Sequence, residues 1–312
     1  MTVELYPLRF CFTAQDPIHF PGGKPGNILR GAFGTAFKRI ACVPECRDAR
    51  VCSRRAECHY ARVFEPASAG VGPSGLAEQP RPFVLRAAHL DGCMIDAGRK
   101  FHFDLHLFNV ADPGPDYFVG VFAELARQGL GPQRGRACLD SVWQLDRSRE
   151  PLHRIYEASR AENHNPVPPL SLSLSAGPER VNEVAVEFTT PTELKAGDQI
   201  AARPEFAILF ARIRDRISTL RALYGAGPLD IDFKGLGERA SRIRMPRCEL
   251  ERVSVNRTSS RTGQTHSLGG FVGRAEYEGD LTEFLPYLEA AEWTGVGRQT
   301  VWGKGAIRVA RK

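Results

Sequence analysis

Apolar residues recur along this chain with two alternating periods. Residues 3–13, Val-Glu-Leu-Tyr-Pro-Leu-Arg-Phe-Cys-Phe-Thr, alternate well enough for a strand. After a Gly/Pro-rich loop from Asp16 to Gly26, the residues Ile28, Leu29, Phe33, Phe37 and Ile40 recur at helical spacing, with Asn27 as N-cap. A Gly/Pro/Ser stretch from Pro66 to Pro82 reads as a loop. Phe83–Leu90 and Lys100–Val110 then predict two strands, Tyr117–Gln128 a second helix and Ala137–Leu145 a fourth strand. That order, β-α-β-β-α-β, is the ferredoxin-like unit. It recurs in the second half: a strand over Val181–Thr190, and a long helix over Pro204–Tyr224 carrying Arg212, Arg214, Arg216 and Arg221. A hairpin of Cys248–Asn256 with Gly270–Glu278, a helix over Leu281–Glu292 and a short last strand complete it. The pattern predicts an α+β protein of two tandem ferredoxin-like domains with antiparallel sheets, over 1–165 and 180–312. Residues 146–180, rich in charge and proline, form the boundary.

Composition narrows the class. The chain has 312 residues, 42% apolar and 25% charged, as a soluble globular protein does. It has no run of eighteen apolar residues and no charged-then-apolar leader, which predicts neither a membrane span nor a signal peptide and places the protein in the cytoplasm. The net charge of +6 is modest, but 35 of the cations are Arg and only seven are Lys. A planar guanidinium pairs bidentately with phosphate and stacks on bases, which suits a nucleic-acid binder.

The last twenty residues hold the sharpest pattern, Gly295-x-Gly297-x5-Gly303-x-Gly305, with Arg298, Lys304 and Arg308 beside it. Glycine accepts positive φ and lets backbone N–H groups approach an anion closely. The stretch lacks the G-K-[ST] ending of a P-loop, and it follows the last helix rather than a first strand, so it fits no mononucleotide or dinucleotide motif. A phosphate-bearing partner fits it; the bland alternative is a hairpin that merely turns the chain.

Residues 42–60 form a cysteine-rich insertion in the first domain. Cys42, Cys46, Cys52 and Cys58 fall within seventeen residues, with His59 as a competing ligand. Four thiolates closing a tetrahedral site predict a structural zinc; an iron–sulfur cluster would use the same set, and free thiols remain the alternative. The alternating His102, Asp104 and His106 read instead as a solvated polar face.

The glycine loop, the Leu29-Arg30-Gly31-Ala32-Phe33-Gly34 box with its downstream cysteines, and the doubled fold order together resemble a CRISPR-associated repeat-RNA endoribonuclease of the RAMP superfamily. The resemblance spans nearly the whole chain. It implies two RNA-recognition-like (RRM-like) domains that bind CRISPR repeat RNA, and cleavage of precursor CRISPR RNA within repeats by 2′-OH attack. The products are a 2′,3′-cyclic phosphate and a 5′-OH, and no catalytic cofactor is needed. It also implies other CRISPR effector subunits as partners, and a catalytic histidine around the first helix. This chain departs there, because residues 28–41 contain no His and no Tyr. His19, with Lys24 nearby, and His266 are the candidate acid/base groups. Arg30, Arg257, Arg261, Gly295, Gly297, Arg298, Gly303, Lys304 and Gly305 are the candidate RNA contacts. The missing helix histidine also admits a non-catalytic RNA-binding subunit on the same superfold, and the cysteines a redox or metal sensor.

Overall fold

A computed structural model of the chain describes residues 1–43, 45–49, 51–66, 79–109, 111–160, 167–254, 256–258, 265–267 and 269–312, with the backbone alone for 256–258 and 265–267. The chain divides into two compact units, Glu4–Ser171 and Leu172–Lys312, the second joined by Met1–Val3.

In the first unit the elements are β1 (Thr2–Ala14), β2 (Ile18–His19), α1 (Pro25–Ala41), α2 (His59–Val63), β3 (Phe83–Arg86), β4 (Met94–Ile95), β5 (Lys100–Leu107), α3 (Pro115–Gln128), β6 (Ala137–Leu145), β7 (Pro151–Glu157) and β8 (Leu170–Ser173). The main sheet runs β3-β5-β1-β6-β7, with β8 also on β1. Setting β7 and β8 aside, this is the ferredoxin-like order with neighbouring strands antiparallel. Strand β7 falls inside the stretch read as boundary, where its residues Leu-His-Arg-Ile-Tyr alternate too weakly against surrounding charge to signal a strand.

Helix α1 starts at Pro25, a residue preset for a first turn, with Lys24 rather than Asn27 at the N-cap position. Its apolar stripe turns Leu29, Phe33 and Phe37 inward, whereas Ile40, in the last turn, is exposed. Phe33 is the hub of an aromatic core, with ring centroids at 5.4 Å from Phe37, 5.2 Å from Phe83 and 5.0 Å from Phe122. The box glycine Gly34 faces the Phe64 ring, which a Cβ would meet at 2.5 Å, so it lets that ring lie against the helix. On the other sheet face, His102, Asp104 and His106 are not solvated. Asp104 binds Arg9 at 2.8 Å and His106 is buried. His102 is half-buried and stacked on His89, with centroids 4.4 Å apart.

The second unit holds β9 (Glu183–Thr192), β10 (Lys195–Ala196), β11 (Gln199–Ile200), α4 (Phe206–Tyr224), α5 (Phe233–Ala240), β12 (Arg244–Val253), β13 (Asn256–Thr258), β14 (Thr265–Ser267), β15 (Gly270–Glu278), α6 (Leu285–Thr294) and β16 (Ile307–Arg311). Its sheet order, β12-β15-β9-β16, again is ferredoxin-like. Helix α4 buries Phe206, Leu209, Phe210, Ile213 and Ile217, and α6 packs beside it through Phe284 and Tyr287 against Phe210. The short α5 contains two glycines and was missed by period; Asp232 caps it by accepting from the Gly235 amide at 2.9 Å. Among the described residues no helix is long and apolar enough to cross a membrane.

Because Phe33 touches rings from α1, α3, β3 and the Phe64 turn, Phe33→Ala should cost about 3–5 kcal/mol. Urea unfolding of the full chain measures it; a loss below about 1 kcal/mol would contradict the hub role.

Candidate nucleic-acid interface

The glycine-rich loop leaves α6 at Thr294 and returns to the sheet at β16. Gly295, Gly297, Gly303 and Gly305 all hold positive φ, between 67° and 78°. Two of them also sit where nothing larger fits. A Cβ on Gly305 would lie 1.9 Å from the Val296 carbonyl oxygen, and one on Gly297 would lie 2.3 Å from that of Glu193. The loop's amides largely serve its own frame: Val296 donates to Gly305, Gly305 to Pro191, Arg298 to Glu193 and Gly303 to Thr300, at 2.9–3.1 Å. The Ala306 amide donates to the Thr190 hydroxyl at 2.9 Å. The glycines therefore first satisfy a close backbone approach to the end of β9.

The cations around the loop differ in access. Arg298 pairs with Glu193 at 2.5 Å and stays 52% exposed, whereas Lys304 is buried and Arg308 points outward on β16, opposite Glu187 in register. The open surface of the loop thus lies around Gly297, Arg298 and Gly303, with the 299–302 turn between them.

The other predicted residues fall in two places. His19 and Lys24 belong to the first unit. His19 is half-buried on β2, opposite Met94 of β4, and its carbonyl is approached so closely by Gly131 that a Cβ there would sit 2.5 Å away. Lys24 is exposed at the start of α1. Arg30, on α1, lies 4.9 Å over the Phe64 ring. In the second unit, His266 and Arg257 occupy directly opposed positions of the β13–β14 ribbon. Arg261 lies outside the described residues.

The four cysteines of the insertion converge. Cys42, Cys46, Cys52 and Cys58 line one small cavity, with Arg54 and Glu57 at its rim. Burial, and after it the neighbouring Cys58 and Cys46, push the Cys42 thiol up to about 12. The Cys46 thiol is raised too, by desolvation and by a hydrogen bond with Cys52. As placed, the thiols bind one another, and among the described residues no group of three or more His, Cys, Asp or Glu is arranged to hold a metal ion. The expected coordination geometry is therefore not formed, although the donor set is that of a tetrahedral site.

Two histidine arrangements had no signal in the sequence, because distant segments build them. His59 lies edge-on to Tyr117, with centroids 4.9 Å apart, and its Nδ1 is 3.5 Å from Asp112. His89 turns its Nε2 to the His102 carbonyl at 2.9 Å, and burial, then the charge of His89, lowers the His102 pKa.

Residues 3–168 match the family model of an N-terminal domain, AF_1859_N, and residues 186–307 match the model of the CRISPR-associated endoribonuclease Cas6. Residues 186–307 thus belong to the Cas6 endoribonuclease family. That match supports the reading as an endoribonuclease of CRISPR RNA processing. Solved structures share the fold. Thermus thermophilus Cas6 (TTHB231) superposes with TM-score 0.55 at 15% identity over 98% of each chain. A Cas6 (TTHB231) product complex gives 0.57 at 16%, over 98% of this chain and 100% of that one. A partial Cas6-RT-Cas1–Cas2 complex gives 0.57 at 12%, over 99% of this chain and 46% of that one. No curated protein matches.

If the loop glycines serve the backbone approach, Gly305→Ala should destabilise the protein by more than about 2 kcal/mol. Gly22→Ala, at a position open to solvent, should change it by less than about 0.5 kcal/mol. Equal midpoints for the two variants in urea would contradict the close-packing account.

Proposed function

We propose that this chain cuts precursor CRISPR RNA within its repeats by attack of a ribose 2′-OH on the adjacent phosphorus, with no metal ion taking part. The 2′-O–P bond forms, the P–O5′ bond breaks, and the ends are a 2′,3′-cyclic phosphate and a 5′-OH. The match of residues 186–307 to the Cas6 endoribonuclease carries this reading, since it spans the glycine loop and its anchors. A base must take the 2′-OH proton, an acid must protonate the leaving 5′-oxygen, and cations must meet the charge that develops on the phosphoryl oxygens. His19 or His266 supplies the imidazole, with Lys24 beside the first. Arg30, Arg257, Arg261, Arg298, Lys304 and the glycine loop hold the RNA backbone.

Repeat RNA is the partner, in keeping with the similar Cas6 seen in a product complex, and further CRISPR subunits are in keeping with the Cas6-RT-Cas1–Cas2 neighbour. The cysteine group acts structurally. Burial and neighbouring cysteines hold the Cys42 and Cys46 thiols up, and a zinc ion or an iron–sulfur cluster would supply the positive charge that favours their thiolates; no step of cleavage runs through it.

Purified protein should give one discrete cut in repeat RNA in the presence of EDTA, ending in a cyclic phosphate; intact RNA with every repeat tried would refute the reading. Of His19→Ala and His266→Ala, the variant lacking the catalytic imidazole should lose about 100-fold or more in rate on saturating RNA. For the cysteines, elemental analysis should find metal in the wild type and less in Cys52→Ser, with a lowered Tm. Metal-free wild-type protein and an unchanged Tm would remove that role.

A further inference from the structure

The arginines of α4 end differently. Arg212 and Arg214 share Asp215, each at 2.9 Å, and Arg214 also donates to the Phe233 carbonyl. Arg221 donates to the Thr2 carbonyl. Arg216 makes no ion pair among the described residues. Its Nε donates to the Thr294 carbonyl at 2.8 Å. Its Nη2 is out of contact with solvent and has no hydrogen-bond partner there, though the residue keeps some exposed surface. Burial draws its pKa down to about 10.

A guanidinium in such a place is an expensive filler. An apolar side chain of similar length would occupy the space without desolvating a charge. The one bond it makes is informative, because Thr294 is fully buried, ends α6 and is the residue from which the glycine loop departs. Its carbonyl lies at the negative end of the helix, where a cation is favoured. Gly295 follows at φ 70°, so the direction of the Thr294 peptide sets the path of the next residues. The far side of the loop is held at β9 by Glu193 and Pro191. On the α6 side, Arg216 provides the tie to Thr294.

We infer that Arg216 is a positioning residue for RNA: it fixes the Thr294 carbonyl, and with it the path of residues 295–305, and it sets a poorly solvated positive charge beside the start of the loop. This rests on the loop being the RNA-contacting element. An anion bound there meets a preformed loop and a charge that water screens weakly, so binding gains more than from a solvated surface arginine.

The test compares wild type, Arg216→Met and Arg216→Lys as full chains. Amide hydrogen exchange is read at residues 295–305 and in β9 and β15, and KM and kcat are read on repeat RNA. In Arg216→Met, exchange should rise in the loop and not in the strands, and KM should rise about tenfold with kcat kept within about threefold, the loss of one charge-assisted hydrogen bond. Arg216→Lys, which keeps the charge but not the planar fork, should recover most of the affinity, leaving KM about threefold raised. Unchanged loop exchange or unchanged KM in Arg216→Met overturns the inference. So does exchange that rises equally in loop and strands, which would mark a purely structural residue. Should Arg216→Met not fold, Arg216→Lys decides: wild-type exchange and KM there overturn it. A wild type that neither binds nor cuts repeat RNA refutes the proposed function instead, and the exchange arm still reads Arg216 alone.

Discussion

The close approach of two backbone segments at the end of β9 governs the second unit. Val296 and Gly305 exchange an amide–carbonyl bond across the neck of the loop, and Gly305 then reaches Pro191. With a Cβ-sized clearance of only 1.9 Å at Gly305, any other residue would push the neck open. The register of β16 on β9 follows directly, because Ala306 binds Thr190 and Ile307 pairs with Phe188 immediately afterwards. The same constraint fixes the loop in the absence of ligand. A loop already held in one conformation would lose little entropy to an anion, so under the proposed RNA contact the same packing lowers the cost of binding.

The arginine excess takes on a different meaning once the pairs are visible. Arg136 with Asp16, Arg239 with Glu283, Arg311 with Glu289 and Arg298 with Glu193 are ion pairs within the chain. Pairing at a surface contributes only about 0–1 kcal/mol, since water and salt screen it. Arg298, half-exposed on the loop, can therefore leave Glu193 for a phosphate at little cost. Buried Lys304 cannot change partners so easily. A count of cations in the sequence does not separate these two kinds.

Much of the fold was legible because it depends on local period. Leu29, Phe33 and Phe37 recur every three or four residues and do form the inward stripe of α1, and the doubled strand-and-helix order does form two antiparallel sheets. Ile40 had the right spacing but sits in the final turn of the helix, and it is exposed. His102, Asp104 and His106 show the opposite failure. Alternation correctly separated them from Phe101 and Phe103, but whether the second face of a sheet meets water depends on what covers it, which period does not encode. Here Arg9 of the neighbouring strand pairs with Asp104 on that face, and His89 stacks on His102. The cysteines were legible as a group because spacing alone brings them close; their sulfur geometry was not.

A catalytic imidazole carries no period at all, and its identity depends on a few ångströms of tertiary placement. Rigid backbone is the property that matters, since a general base must hold its distance to a 2′-OH. His19 has that property on three counts. It lies in a strand paired with Met94, the Phe20 amide that follows donates to the Cys93 carbonyl at 2.9 Å, and Gly131 closes over its carbonyl. The residue as a whole is half-buried. His89, exposed and stacked on a half-buried ring, is instead oriented toward its own protein, through the bond from its Nε2 to the His102 carbonyl. Equal as residues in the sequence, the two differ in how the fold holds them.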